Sequence, residues 1–166
     1  MEGTEKKKSM RILPKVEASH YVPGLESLIK NYDGVLQHLK NENPEILRLM
    51  QMHIDAAKGN DPNPIKVTVL SMYSVLRQAA KNNRLPMVDP ETVLKIVEKE
   101  YPRTARELTG YINDNYNRIK EENHLVAYLM TDIVNQYKNT PNSKVFAILA
   151  GVALYRVLEE QTLNTH

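Results

Sequence analysis

The sequence predicts an all-α fold, a single-domain bundle of six or seven helices around an apolar helix at about residues 144–161. Apolar side chains recur every three or four residues through most of the chain, the spacing of one face of an α-helix. Asn43, Asn63 and Asp89 each precede a proline, a pairing of capping residue and first-turn residue that indicates a helix start. The stretch from Val145 to Tyr155 is apolar almost throughout, and a helix that is apolar all round is buried all round.

The start of the chain differs from the rest. Residues 1–20 are predicted to form a flexible basic N-terminal tail, with order from Ile12 at the earliest, because they carry consecutive lysines from Lys6 and little periodic hydrophobicity. Residues 21–163 are predicted to form a single helical domain.

Seven helical segments follow in order. No strong breaker separates the fifth from the sixth, so they are one long helix or two. Prolines at Pro23, Pro44 and Pro64, about twenty residues apart, suggest stacked antiparallel hairpins, compatible with a compact bundle or a short solenoid. No exact repeat is seen. The predicted segments are about 23–40, 44–58, 64–81, 90–101, 103–122, 124–138 and 144–161.

The apolar segment is too short for a membrane span. Its eleven residues from Val145 to Tyr155 extend about 16 Å as a helix, against about 30 Å of hydrocarbon. Ala147, Ala150 and Gly151 form a small-residue patch on it, which favours close approach of another helix. That helix belongs either to the same chain or to a second subunit, and the patch is therefore a candidate interface.

Composition excludes several classes of function. The chain has no cysteine, which removes disulfides, thiolate nucleophiles and cysteine-containing zinc sites. A formal net charge of +2 gives no strong field toward nucleic acid or membrane. There is no Walker-type loop and no Gly-x-Gly-x-x-Gly turn, so no cofactor is predicted. The charged start lacks the form of a signal peptide, which favours a cytoplasmic location.

One pair of residues has the spacing of a metal site. Glu121 and His124 match the Glu-x-x-His pattern of di-iron helical bundles. Because Glu121 stands in a run of charged residues, the preferred interpretation is a solvated helix face.

A second spacing matches a catalytic family. Arg48 and His53 bracket an Arg-x4-His pattern, which resembles that of HEPN-type helical ribonucleases. The resemblance covers six residues. It implies RNA cleavage at a dimer interface, with Arg48 and His53 acting on the RNA. The alternative is that both are ordinary polar residues at a helix edge.

Basic residues form two groups that are candidates for nucleic-acid binding without catalysis. Nearby tyrosines are suited to stacking on bases, although acidic residues interleave with both groups. The first group surrounds a loop and consists of Arg77, Lys81 and Arg84. The second group lies along the fifth predicted helix and consists of Arg103, Arg106 and Arg118.

The preferred interpretation is a non-catalytic helical module that binds a protein partner or associates with itself as a homo-oligomer. It depends on the tyrosine- and methionine-rich helices and the small-residue patch. Nucleic-acid binding and the ribonuclease are the alternatives, and no membrane association is predicted.

Overall fold

The computed structural model describes residues 11–20, 32–137 and 141–165, and the all-α prediction is confirmed: these residues contain seven α-helices and no strand. The predicted start of the first helix lies outside them. A π-helical segment, Lys95–Glu100, continues the fourth helix, and short 3₁₀ turns occupy Ala18–His20 and Lys81–Asn83. The helices are α1 Tyr32–Glu42, α2 Pro44–Ala56, α3 Asn63–Ala79, α4 Pro90–Leu94, α5 Ala105–Glu122, α6 His124–Asn135 and α7 Pro141–Asn164.

The apolar C-terminal helix α7 lies at the centre of the bundle. Most of its length, from Leu149 to Glu159, is buried, apart from the half-buried Arg156. Its first turns are less enclosed, and Val145 is 54% exposed. The most extensive helix pair in the fold is α3 with α7, and α3 is buried along almost its whole length because it carries few charges.

The small-residue patch of α7 is enclosed by the chain itself. Ala147, Ala150 and Gly151 are all buried. A Cβ added at Gly151 would lie 2.7 Å from Sδ of Met130 on α6 and 2.8 Å from Sδ of Met72 on α3. Gly151 is thus a close crossing point of three helices, and the described chain itself encloses the patch.

The fifth and sixth predicted helices are two helices, broken at Asn123. Its backbone leaves the helical region, with φ −149° and ψ 67°. A second break with nearly the same backbone angles, φ −154° and ψ 65°, separates α1 from α2 at Asn43. Neither asparagine makes a side-chain cap bond to its own helix. Both side chains are buried and bind backbone elsewhere.

Those bonds fasten two extended segments, the first strap (residues 12–16) and the second strap (residues 84–88). Asn123 Nδ2 donates to the Pro14 carbonyl at 2.9 Å, and its Oδ1 accepts from the Val16 amide at 2.9 Å. Within the predicted tail, Leu13 and Val16 are therefore buried in the core. The sequence does not reveal this because the segment has no helical period.

Within the described residues, no helix is long and apolar enough to cross a membrane.

Replacing Gly151 with Leu is expected to lower the free energy of unfolding by about 1–3 kcal/mol, because the new side chain overpacks the crossing. Gly110→Leu in α5 is the matched control. A Cβ at Gly110 meets nothing within 4 Å, so the same substitution there is expected to be neutral or stabilising. Chemical denaturation measures both variants. Wild-type stability for Gly151→Leu would contradict the tight contact.

Candidate functional site

A cavity of about 730 Å³, called the main cavity below, lies between α5, α7, the π-helical segment and the N-terminal segment. Its walls carry charged side chains from elements that are distant in sequence. The central ones are Glu100, Arg118, Arg156 and Glu159.

Arg118 and Glu159 form a two-pronged ion pair across the α5–α7 contact. The guanidinium Nη1 and Nη2 of Arg118 donate to the two Glu159 carboxylate oxygens at 2.8 and 2.7 Å. Glu159 is only 2% exposed. Arg118 also donates to Glu122 at 3.0 Å and lies 5.9 Å above the Tyr155 ring centre. A buried carboxylate tolerates its charge only when it is paired in this way.

Arg156 forms the second two-pronged pair, with Glu100. Its Nε and Nη2 donate to the Glu100 carboxylate at 2.8 and 2.6 Å, and the Tyr111 hydroxyl donates to the same carboxylate. Arg156 Nη1 also donates to Glu159 at 3.1 Å, so the two pairs form one network. This network joins α5, α7 and the π-helical segment.

The pKa shifts of these groups keep each of them in one ionisation state near neutral pH. The hydrogen bonds that Arg118 donates to Glu159 raise the pKa of Arg118, and those that Arg156 donates to Glu100 raise the pKa of Arg156. Burial alone would raise the pKa of Glu100, but the Arg156 and Tyr111 bonds outweigh it and lower that pKa. Burial raises the pKa of Tyr111. General acid–base catalysis is most effective when the group's pKa lies near the working pH, and these shifts all move away from neutrality.

The rim of the main cavity is different from its walls. Leu163 is 51% exposed and Ile12 is partly buried. Arg11 Nε donates to the Leu13 carbonyl at 3.2 Å. Within the described part of the chain, the Arg11 guanidinium pairs with no carboxylate. The rim therefore offers apolar surface beside a cation.

A smaller cavity of about 430 Å³ lies beside the second strap. Arg77 on α3 donates to both oxygens of Glu42 on α1, at 3.0 and 2.9 Å. Met87, 60% exposed, and the half-buried Leu85 form its apolar part. It again combines a satisfied ion pair with an exposed apolar side chain.

The six basic candidates for nucleic-acid binding separate into two kinds. Arg77 and Arg118 are held in ion pairs by Glu42 and Glu159. The other four are exposed, and no ion pair is seen for them among the described residues. These four are Lys81, Arg84, Arg103 and Arg106.

Arg48 and His53 do not converge on a cleft. Arg48 is exposed and pairs with Glu45 at 3.1 Å. His53 is buried, with Nδ1 2.8 Å from the Leu49 carbonyl and Nε2 2.7 Å from the Tyr101 hydroxyl. Because a carbonyl only accepts, Nδ1 carries the proton and Nε2 accepts from Tyr101. Both ring nitrogens are thus used inside the fold, which gives the ribonuclease hypothesis no geometric support.

The Glu-x-x-His pair is divided by the helix break. Glu121 is in α5 and His124 begins α6, and both are exposed. The pattern requires one continuous helix to place both ligands on the same face. No group of three or more His, Cys, Asp or Glu suited to a metal is found in the described residues.

Pro44 and Pro90 begin helices as predicted, but the polar side chains that precede them, Asn43 and Asp89, serve tertiary contacts. Asp89 makes no cap bond, and its carboxylate accepts from Gln161 Nε2 at 3.0 Å. Sequence reasoning also missed Glu100, Arg156 and Glu159. The one available signal was that Arg156 and Glu159 interrupt an otherwise apolar helix.

Comparison with known proteins gives no information about the site. No protein-family model, curated protein or solved structure matches this chain.

The pH dependence of stability tests the buried state of His53. Burial lowers its pKa below the ordinary 6.5, so the unfolded chain takes up a proton that the folded chain resists. Wild-type stability is therefore expected to be complete above about pH 6.5 and to fall as the pH decreases toward 5. His53→Gln should flatten this decline, while His124→Gln, at an exposed position, should keep it. Equal slopes for all three proteins in denaturant titrations would contradict the assignment.

Proposed function

We propose that the chain is a non-catalytic helical protein-interaction module, which binds a protein partner or a second copy of itself. The observation that carries the proposal is the contrast within the main cavity. Its wall charges are bonded to one another, whereas its rim, formed by Arg11, Ile12 and Leu163, is available.

The wall charges favour a structural role over chemistry. Arg118 donates two hydrogen bonds to Glu159, and Arg156 donates two to Glu100. A reacting group placed there would first have to break these bidentate ion pairs. Breaking a buried pair typically costs about 3–5 kcal/mol. A rigid wall of this kind instead holds the rim in one shape, which lowers the entropic cost of binding.

The rim suits a protein segment with an apolar side chain beside an acidic one. Leu163 and Ile12 offer apolar contact, and Arg11 offers donors to a carboxylate. Apolar side chains near the centre of an interface and a charged rim are the usual anatomy of protein–protein contacts. The exposed Met87 at the smaller cavity offers a second contact of the same type.

Self-association is the form of this function that is tested first. Light scattering of the wild type is expected to give a mass above that of the monomer, and Leu163→Glu should reduce it. Asn113→Glu is the matched control, since it adds the same charge at an exposed position of α5 and should leave the mass unchanged. A wild-type monomer at the highest attainable concentration would contradict self-association.

Nucleic-acid binding is the second candidate, favoured by the four exposed basic residues. If it operates, affinity for a single-stranded oligonucleotide should fall steeply with added salt. Replacing Lys81 and Arg84 by Glu should weaken binding, whereas replacing the ion-paired Arg77 by Gln should change stability more than affinity. Absence of binding at low salt would exclude this function.

A further inference from the structure

The two straps have the same sequence pattern. Leu13-Pro14-Lys15-Val16 in the first strap corresponds to Leu85-Pro86-Met87-Val88 in the second. Each therefore has the form Leu-Pro-X-Val, where X is exposed and the Val is buried.

The two straps are also held by the same bonds. Asn43 Nδ2 donates to the Pro86 carbonyl at 2.8 Å, and its Oδ1 accepts from the Val88 amide at 2.8 Å. The bonds from Asn123 to Pro14 and Val16 are 2.9 Å each. In both sites one asparagine side-chain amide hydrogen-bonds the proline carbonyl and the valine backbone amide of a non-helical segment.

The surroundings of the two asparagines correspond as well. Each sits at a helix break of nearly the same backbone angles. The backbone amide of Asn43 donates to Leu39 at 2.8 Å, and that of Asn123 donates to Ile119 at 2.7 Å. Asn123 Nδ2 donates to the Tyr155 hydroxyl at 3.3 Å. Burial raises the pKa of Tyr73, and the Asn43 side chain lies close enough to the Tyr73 hydroxyl to offset part of that rise.

Those tyrosines occupy equivalent places on the two central helices. Tyr73 and Tyr155 each begin a Tyr-x-Val-Leu sequence, on α3 and α7 respectively. The residue four positions later forms the ion pair of its cavity: Arg77 in one, Glu159 in the other. The sign of the charge is reversed, and the partner comes from the helix before the break, Glu42 on α1 or Arg118 on α5, at different distances from the two asparagines.

The packing of the helices is reciprocal. The central contact is α3 with α7, while α2 packs on α7 and α6 packs on α3. Such reciprocity is what a two-fold axis produces between identical subunits. The straps obey it too: the one that precedes α1 binds at the α5–α6 break, and the one that precedes α5 binds at the α1–α2 break.

We infer that the chain consists of two homologous helical units related by a pseudo-two-fold axis, and that each unit carries a binding site for an extended Leu-Pro-X-Val segment. The strap of the opposite unit occupies each site here. Unit one holds the first strap and α1 to α3, and unit two holds the second strap and α4 to α7, with α4 and the π-helical segment lying between that strap and α5. This inference does not depend on the proposed function.

The chemistry of the site explains its preference. A proline offers a carbonyl but no amide donor, and its ring restricts φ to extended or turn conformations. The asparagine amide donates to that carbonyl and accepts from the amide two residues later, which fixes the direction of the segment. Burial of Leu13 and of Val16 or Val88 adds apolar contact.

A binding experiment on the full-length chain tests the site. Leu13→Asp combined with Val16→Asp should release the first strap and empty the Asn123 site. Fluorescent peptides copying residues 11–18 and residues 83–90 should then both bind. Wild type should bind each peptide at least about tenfold more weakly, because its own strap competes. Lys15→Asp, at the exposed X position, is the matched control and should behave like wild type.

Further arms make the result decisive. Adding Asn123→Leu to the emptied variant should weaken binding of both peptides by at least about tenfold, since two hydrogen bonds are lost. A folded emptied variant that binds neither peptide would overturn the site. Binding of the 11–18 peptide alone would overturn the equivalence of the two units.

A second measurement applies if the emptied variant fails to fold. In wild type, the Val16 and Val88 amides lie outside helices, yet both donate to a buried asparagine. NMR hydrogen exchange should therefore show both as protected as helix-core amides. Asn123→Gln should release Val16 selectively and Asn43→Gln should release Val88 selectively. Exchange of both at loop rates in wild type would overturn the inference.

Discussion

The buried side-chain amides of Asn43 and Asn123 are the interactions on which the rest of the structure depends. A buried amide left without partners costs several kcal/mol, so each asparagine must find both an acceptor and a donor. Each finds them on the backbone of a strap, at the point where two helices break. Each site therefore combines a helix break, a strap and a core tyrosine. The chain turns at the break, and the strap packs against the turn.

The ion pairs build on that framework. Arg118 and Glu159 extend from the helices that meet at the Asn123 site, and Arg77 and Glu42 do so near Asn43. These charges are bonded within the chain and join the helices that form the cavity walls. The proposed interaction with a protein partner relies instead on the rim groups Leu163 and Arg11.

Sequence reasoning was more successful for the helices than for the site. The apolar period located the described helices, and the apolar run from Val145 identified the central one, because burial imposes that period directly. The sequence did not reveal the partners of its polar candidate residues. Arg118 was a candidate for nucleic acid, but it binds Glu159; His53 was a candidate catalyst, but it bonds Leu49 and Tyr101 inside the fold. Charge and spacing alone do not reveal such partners.

By itself, the sequence determined the fold class, the helical segments, the buried character of α7 and the tight position of Gly151. These follow from local periodicity and side-chain size, which act within one or two turns. Only the tertiary structure decided that Ala147, Ala150 and Gly151 are enclosed by their own chain, that the first strap is part of the core, and that the two halves correspond. The physical reason is that a hydrogen bond or ion pair between distant residues leaves no periodic trace. Asn123 next to Pro14 and Arg118 next to Glu159 are neighbours only after folding.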